Sequence, residues 1–271
     1  MTSSLPCGCC KDDNIFSRLM IMMIFLILIG FCFIAAIAFV IYNNWQNDKL
    51  IKQVTPLYRG ERSERDVVLR LLYSGINPRA IFHDLYIKKQ NGEYTQVDLV
   101  VATSAGLIVF EVKDYSGWIF GNEKQRYWTQ ILAYGKERHR FYNPIMQNKG
   151  HINALRDSLP SNRDVPIFSV VVFCGNCSLK EITIYSENTF VIYSSTIKSL
   201  ISHLMQCPNA NYGDKYEIMN VLNKAVENGM NPSIVCSQRY SANKYSQNKP
   251  ESTYNYFRLP WGRFPYRGRW F

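Results

Sequence analysis

From Leu19 to Tyr42 the chain runs for twenty-four residues without a charge. At 1.5 Å per residue a helix of that length reaches about 36 Å, longer than the roughly 30 Å hydrocarbon core of a bilayer, so it can span one with some tilt. No small-residue cleavage motif precedes Tyr42-Asn43-Asn44-Trp45, which favours a retained anchor over a removed signal peptide. Tyr42 and Trp45 suit the headgroup region at its downstream end. The flanking basic residues are Lys11 and Arg18 before the run and Lys49, Lys52, Arg59, Arg62 and Arg65 after it. By the positive-inside rule this predicts a single-pass membrane protein whose C-terminal part lies in the cytosol.

The rest of the chain, roughly 190 residues once the anchor and two tails are set aside, suffices for one α/β domain. The expected organisation is a tip at 1–18, the anchor at 19–42, a stalk at 43–59, one domain at 60–236 and a tail at 237–271 without periodic structure. Helical period runs from Gly60 to Tyr73; Ala80 to Lys88, Gln96 to Val101 and Leu107 to Lys113 read as strands. The Gly-, Trp- and Tyr-rich stretch from Gly117 to Tyr142 reads as a compact loop. Gln147 to Leu159 is a helix, Val165 to Cys174 a strand, and Ser194 to Met205 and Asp214 to Asn228 are helices. That order predicts a mixed α/β sandwich, a mixed sheet flanked by helices. No Gly-rich phosphate loop follows a strand, so a doubly wound nucleotide fold is excluded.

The formal net charge is +10, and the surplus gathers at the end: from Gln238 onward seven basic residues face one acid, Glu251. Such a balance suits nucleic acid or anionic lipid headgroups. The last residues interleave aromatics with Arg258, Arg263, Arg267 and Arg269, a composition that stacks bases while contacting phosphates. It also suits the interface of an anionic bilayer. Eight cysteines, three of them within the first ten residues, make no disulfide framework and fit a reducing compartment. Cys174-x-x-Cys177 lacks a second close pair, so zinc is not expected and Cys174 reads as a small hydrophobe ending a strand.

Four polar positions interrupt strands that are otherwise apolar on both faces. If the hairpin turns between Ser104 and Ala105, Asp98 stands opposite Glu111 and Gln96 opposite Lys113, with all four on one face. Burying two carboxylates and an ammonium costs several kcal/mol unless something compensates. A divalent cation held by Asp98 and Glu111, with Lys113 beside it to orient a water, is one compensation; a buried Glu111–Lys113 salt bridge is the other. Glu64 lies three and four residues before Val67 and Val68, so it shares the apolar face of its helix and points a third carboxylate at the sheet; a helix N-terminus also favours an acid there by its dipole. His83, His139, His151 and His203 show no metal-ligand spacing. Trp118, Trp128, Tyr115 and Tyr127 suit either base stacking or core packing.

Gly60-Glu61 with Glu64, then Thr95-Gln96-Val97-Asp98, Gly106 to Lys113, Tyr115-Ser116-Gly117, Trp128 and Asn143 to Asn148 together resemble the nuclease-related domain, a branch of the PD-(D/E)XK nuclease superfamily, over about Gly60 to Leu159. The resemblance implies a restriction-endonuclease-like fold in which Glu64, Asp98 and Glu111 hold Mg²⁺ or Mn²⁺ and Lys113 assists the attacking water. Gln96, Asn143 and Gln147 match additional polar positions. The expected activity is metal-dependent phosphodiester hydrolysis of DNA or RNA at a membrane. The alternative is a nuclease fold that no longer cuts and serves as a membrane-attached nucleic-acid-binding or scaffold module.

Overall fold

The computed structural model describes residues 12–132 and 135–247. Cys7, Cys9 and Cys10 at one end, and Arg258, Arg263, Arg267 and Arg269 at the other, lie outside them. α1 (Asp12–Ile51) carries the apolar run as one helix of 40 residues. Among the described residues none covers its apolar stretch, and by length and composition it is able to cross a membrane.

That helix does not end where the apolar run ends. Ile51, Thr55 and Arg59 are buried, and Tyr73 donates its hydroxyl to Asn47 at 2.6 Å. Much of the segment predicted as a stalk is therefore packed into the folded body. α2 (Arg62–Tyr73) buries Glu64, Val67, Val68 and Leu71 on one face, the spacing of an amphipathic helix.

Next come β1 (Ile81–Lys88), β2 (Tyr94–Thr103), β3 (Gly106–Lys113), β4 (Gly117–Asn122), β5 (Tyr127–Leu132) and β6 (Glu137–Tyr142). They are followed by α3 (Pro144–Asp157), β7 (Ile167–Phe173), β8 (Cys177–Thr183), β9 (Thr189–Tyr193), α4 (Ile197–Leu204), α5 (Lys215–Asn228) and α6 (Pro232–Gln247). Five strands form one sheet in the order β1-β2-β3-β7-β9. β1, β2 and β3 pair antiparallel, and β3, β7 and β9 parallel. α2 and α4 pack on one face with Leu99, Val101, Ile108 and Phe110; α3 and α5 pack on the other with Val100, Leu107 and Val109. β7 is buried at every position, as a strand covered on both faces must be, which is why it reads as a continuous apolar run.

The stretch Gly117 to Tyr142 is not the loop its composition suggests. It supplies three strands of a second sheet, ordered β6-β5-β4-β8. Trp128 is fully buried there and lies parallel to Phe173 with ring centroids 6.4 Å apart. Gly121 makes this possible, because a Cβ at that position would sit 2.1 Å from the indole. α6 also continues the helical body past residue 237, where the sequence predicts the tail. The whole is a mixed α/β body with two sheets and flanking helices.

A candidate active site where two strands part

β2 and β3 pair from Thr103–Gly106 up to Leu99–Phe110, the register expected from a turn centred between Ser104 and Ala105. Beyond that point the strands separate. β3 stays with β7 as far as Lys113–Phe173, whereas β2 stays with β1 as far as Tyr94–Lys88. At the parting point Asp98 accepts the Val112 N–H through Oδ2 at 2.7 Å, a side chain replacing the lost ladder bond.

The parting coincides with a paired slip. Leu99 and Val101 pack on the α2 side, yet Val97 packs with Val100 on the α3 side, so the alternation of β2 shifts by one residue at Asp98. β1 shifts in step: Ile81 packs on the α2 side, Leu85 and Ile87 on the other, and between them Asp84 has φ 56°. His83–Leu99 and Leu85–Val97 remain paired around the unpaired Asp84 and Asp98, so the hairpin turns away from β3 without losing register. A wedge opens, and it is the cleft, of about 570 Å³.

Glu61, Glu64, Asp84, Asp98, Glu111 and Asp114 line this cleft together with Lys113, Gln96 and Gln147. Six carboxylates thus face one lysine. Glu111 is buried, with Lys113 Nζ donating to Oε1 at 2.6 Å and His151 Nε2 3.2 Å from Oε2. Burial alone would raise the Glu111 carboxyl, but Lys113 and His151 outweigh it and hold the group below its ordinary range. Burial would likewise lower the Lys113 ammonium, and the charges of Glu111 and Asp98 reverse that and raise it. Lys113 also donates to Gln147 Oε1 at 3.2 Å. Asp98 forms no direct ion pair among the described residues. Burial, then the charges of Glu111 and Glu64, push its carboxyl well above the usual carboxylate range against the opposing pull of the Val112 N–H and Lys113.

Glu64 reaches the cleft from the first turn of α2, its Oε2 3.0 Å from His83 Nε2, and His83 Nδ1 meets Thr55 Oγ1 at 2.9 Å. Gly60, at φ +62°, is pressed against this pair; a Cβ there would lie 2.3 Å from Glu64 Oε2 and 2.4 Å from His83 Nε2. Asp84 is fixed by Arg59 Nε at 3.1 Å and Gln96 Nε2 at 3.0 Å, while Arg59 also donates to the Asp84 carbonyl.

Of the residues singled out in the sequence, Glu64, Asp98, Glu111, Lys113, Gln96 and Gln147 come together in this cleft. The slip changes how one of them arrives. Gln96 approaches from the Asp84 side, and Thr95 takes the α3 side, where its hydroxyl meets His151 Nδ1 at 2.8 Å. Asn143 stands apart: it caps α3 by accepting from Ile145 N and donates to the carbonyls of Asn122, Glu123 and Gln125. It ties the β4–β5 turn to α3 and does not line the cleft. Asp84, Arg59, Thr95, His83 and His151 belong to the site without having been singled out for it. Cys174 packs beside the α2 core, and burial, then Asp66 and Asp114, push its thiol up to about 12.

The donors are carboxylate oxygens, the kind a hard divalent cation takes, and a cation beside Asp98 would oppose the burial and the acidic neighbours that raise its carboxyl. In charge and donor type the residues fit Mg²⁺ or Mn²⁺. Among the described residues, no three His, Cys, Asp or Glu side chains already converge on one point.

Residues 59–174 match the nuclease-related domain. An uncharacterised protein of Bacillus anthracis is 31% identical over 156 residues, covering 57% of this chain and 71% of that relative. No solved structure matches the chain. The stretch that carries the cleft is the stretch that the domain match covers, and the chain belongs to the nuclease-related domain family.

Proposed function

We propose that the cleft is the active site of a divalent-metal-dependent nuclease of the PD-(D/E)XK type, in a protein that α1 holds at a membrane with its domain on the cytosolic side. One observation carries the reading: a buried Glu111–Lys113 pair at 2.6 Å shares a cleft with Asp98 and Glu64, and Asp98 forms no direct ion pair among the described residues. Asp98, Glu111 and Glu64 would hold Mg²⁺ or Mn²⁺, which when bound neutralises the scissile phosphate and makes a water more acidic. Glu111 and Gln147 fix the Lys113 ammonium from two sides, so it can hold and orient the attacking water with little freedom to lose. His151 Nε2 stands 3.2 Å from Glu111 Oε2 on the α3 side, where in this proposal it would steady the carboxylate. The arginines at 258, 263, 267 and 269 add phosphate contacts in this proposal.

The full chain, purified in detergent, should cleave plasmid, linear or single-stranded substrates with Mg²⁺ or Mn²⁺ and not with EDTA. Glu111→Gln should be inactive while folded. Binding without cleavage under every metal condition would replace this reading with that of a nucleic-acid-binding module. For orientation, protease added to intact cells should leave residues 60–247 protected; their digestion would overturn the cytosolic placement.

A further inference from the structure

A cleft with six carboxylates and one lysine repels a polyanion until cations enter it, so a nucleic-acid strand must be drawn in by another surface. The second sheet has one. In β5 and β6 the pairs Thr129–Arg140 and Ile131–Arg138 share a face with Tyr127–Tyr142, opposite to the buried Trp128. β4 extends that face with Trp118, which pairs with Ile131. Lys180 of β8 stands 5.5 Å over the Trp118 ring, and Arg140 lies 5.2 Å from the Tyr127 ring. Lys124, beyond the end of β4, stands 4.4 Å over Tyr185. Trp118 and Tyr142 are each 39% exposed and Tyr185 is 56% exposed. No salt bridge engages Arg138, Arg140, Lys124 or Lys180 among the described residues. The four strands themselves contribute just two acids, Glu137 and Glu181.

We propose that this outer face is a binding platform for single-stranded nucleic acid, which feeds a strand to the neighbouring cleft. The binding stands on the sheet alone; the feeding rests on the nuclease reading of the cleft. Exposed rings beside unpaired cations bind an unstacked base on the ring and its phosphate on the cation. Duplex bases are already stacked on each other and have no face to offer, so the platform favours single strands. The sheet that bears it is joined to the cleft through its other face: Tyr115 lines the cleft and packs edge-on at 4.7 Å against Phe141 of β6, which pairs with Trp128, and Gln130 of β5 donates to the Ser116 carbonyl at 2.8 Å.

The test uses the full chain in phosphatidylcholine nanodiscs, with EDTA present so that binding is read without cleavage. The probe is a fluorescein-labelled single strand of about 20 nucleotides, measured by anisotropy across a salt series beside a duplex of equal length. The double variant Arg138→Ala/Arg140→Ala should bind at least about tenfold more weakly, with a salt slope lower by about 1.4, two phosphates at about 0.7 each. Trp118→Ala should lose roughly fivefold or more for the single strand and less for the duplex. Lys224→Ala, on α5, should bind as wild type, and circular dichroism should show all variants folded. Wild-type affinity in both platform variants overturns the proposal. So does unchanged oligonucleotide affinity with reduced co-flotation on phosphatidylserine vesicles, which would assign the face to lipid. If wild type never cleaves but the double variant loses binding, the platform stands and the nuclease reading falls; cleavage with undiminished binding in the double variant sinks the platform alone.

Discussion

The two sheets divide the chemistry of charge between them. The five-stranded sheet has helices on both faces, and its acids Asp84, Asp98 and Glu111 gather where β2 and β3 part. The four-stranded sheet has one face against the core and the other open, and there its charged side chains are mostly basic and stand beside rings. Burial accounts for the contrast. In the covered sheet a charge survives only with a partner or in a cleft that a cation can enter, whereas on the open face a lone arginine costs nothing and can wait for a phosphate. On the proposed nuclease reading, the acidic basin would take the metal and the basic outer surface would hold the strand, and the fold keeps the two apart.

The sharpest test of that division is to damage each sheet and read the other's function. Glu111→Gln and Asp98→Asn should each lower cleavage by about a thousandfold or more, the scale of losing a metal or transition-state contact. Their metal-free affinity for a single strand should stay the same or rise, since negative charge has been removed. Loss of affinity in the acid variants would break the division. Next in size is His151→Ala, expected to lower the rate and the apparent Mn²⁺ affinity about ten- to a hundredfold, the usual range for a group that orients a metal ligand. His151→Gln should restore part of both, which a purely structural role would not require.

Two glycines give a smaller, stability-level comparison. Gly60→Ala must strain a positive φ and push Glu64 and His83, so it should cost roughly 1–3 kcal/mol and also depress cleavage. Gly121→Ala would meet Trp128 instead, and should cost a similar amount while cleavage per folded molecule holds. Thermal melts with single-turnover rates would separate them, and equal catalytic losses would erase the distinction.

The smallest effect concerns pH. The folded pKa of Asp98 is raised by burial and its acidic neighbours, so its contribution to stability is complete below the ordinary aspartate range and is lost as pH rises through the raised value. Glu111 has the opposite sign: its folded pKa is lowered, and its contribution is present above the ordinary glutamate range and lost on acidification. Asp98→Asn should therefore raise the metal-free Tm at neutral pH by a few degrees and flatten the slope above the aspartate range. Mg²⁺ should raise the wild-type Tm more at neutral than at acidic pH. An unaltered pH slope in Asp98→Asn would remove Asp98 as its source.

Much of the covered sheet was legible in the sequence because burial on both faces writes apolar runs, and because Ser104-Ala105-Gly106 fixed the hairpin centre. Glu64 was legible from its phase against Val67, Val68 and Leu71. The paired slip was not: alternation rules assume a strand keeps its frame, and Asp84 and Asp98 break it together. A signal did exist at His83-Asp84, two adjacent polar residues inside a strand that is otherwise apolar, and at Gln147 and His151, one turn apart on the same helix. The open sheet was illegible for a different reason. Its strands mix Gly, Trp and Arg, and β4 finds its parallel partner β8 across two other strands, a helix and β7, a pairing that no local pattern announces.

Thr55 backs the His83–Glu64 pair and Arg59 holds Asp84, yet both belong to the connection between the apolar helix and the domain. This blurs the customary boundary between an anchor and its cargo. A fragment trimmed to residue 60 would discard the rear wall of its own cleft, so a working soluble version should begin upstream of Asn47. Where α1 lies in a bilayer, the residues that wall the cleft begin just past its last turn.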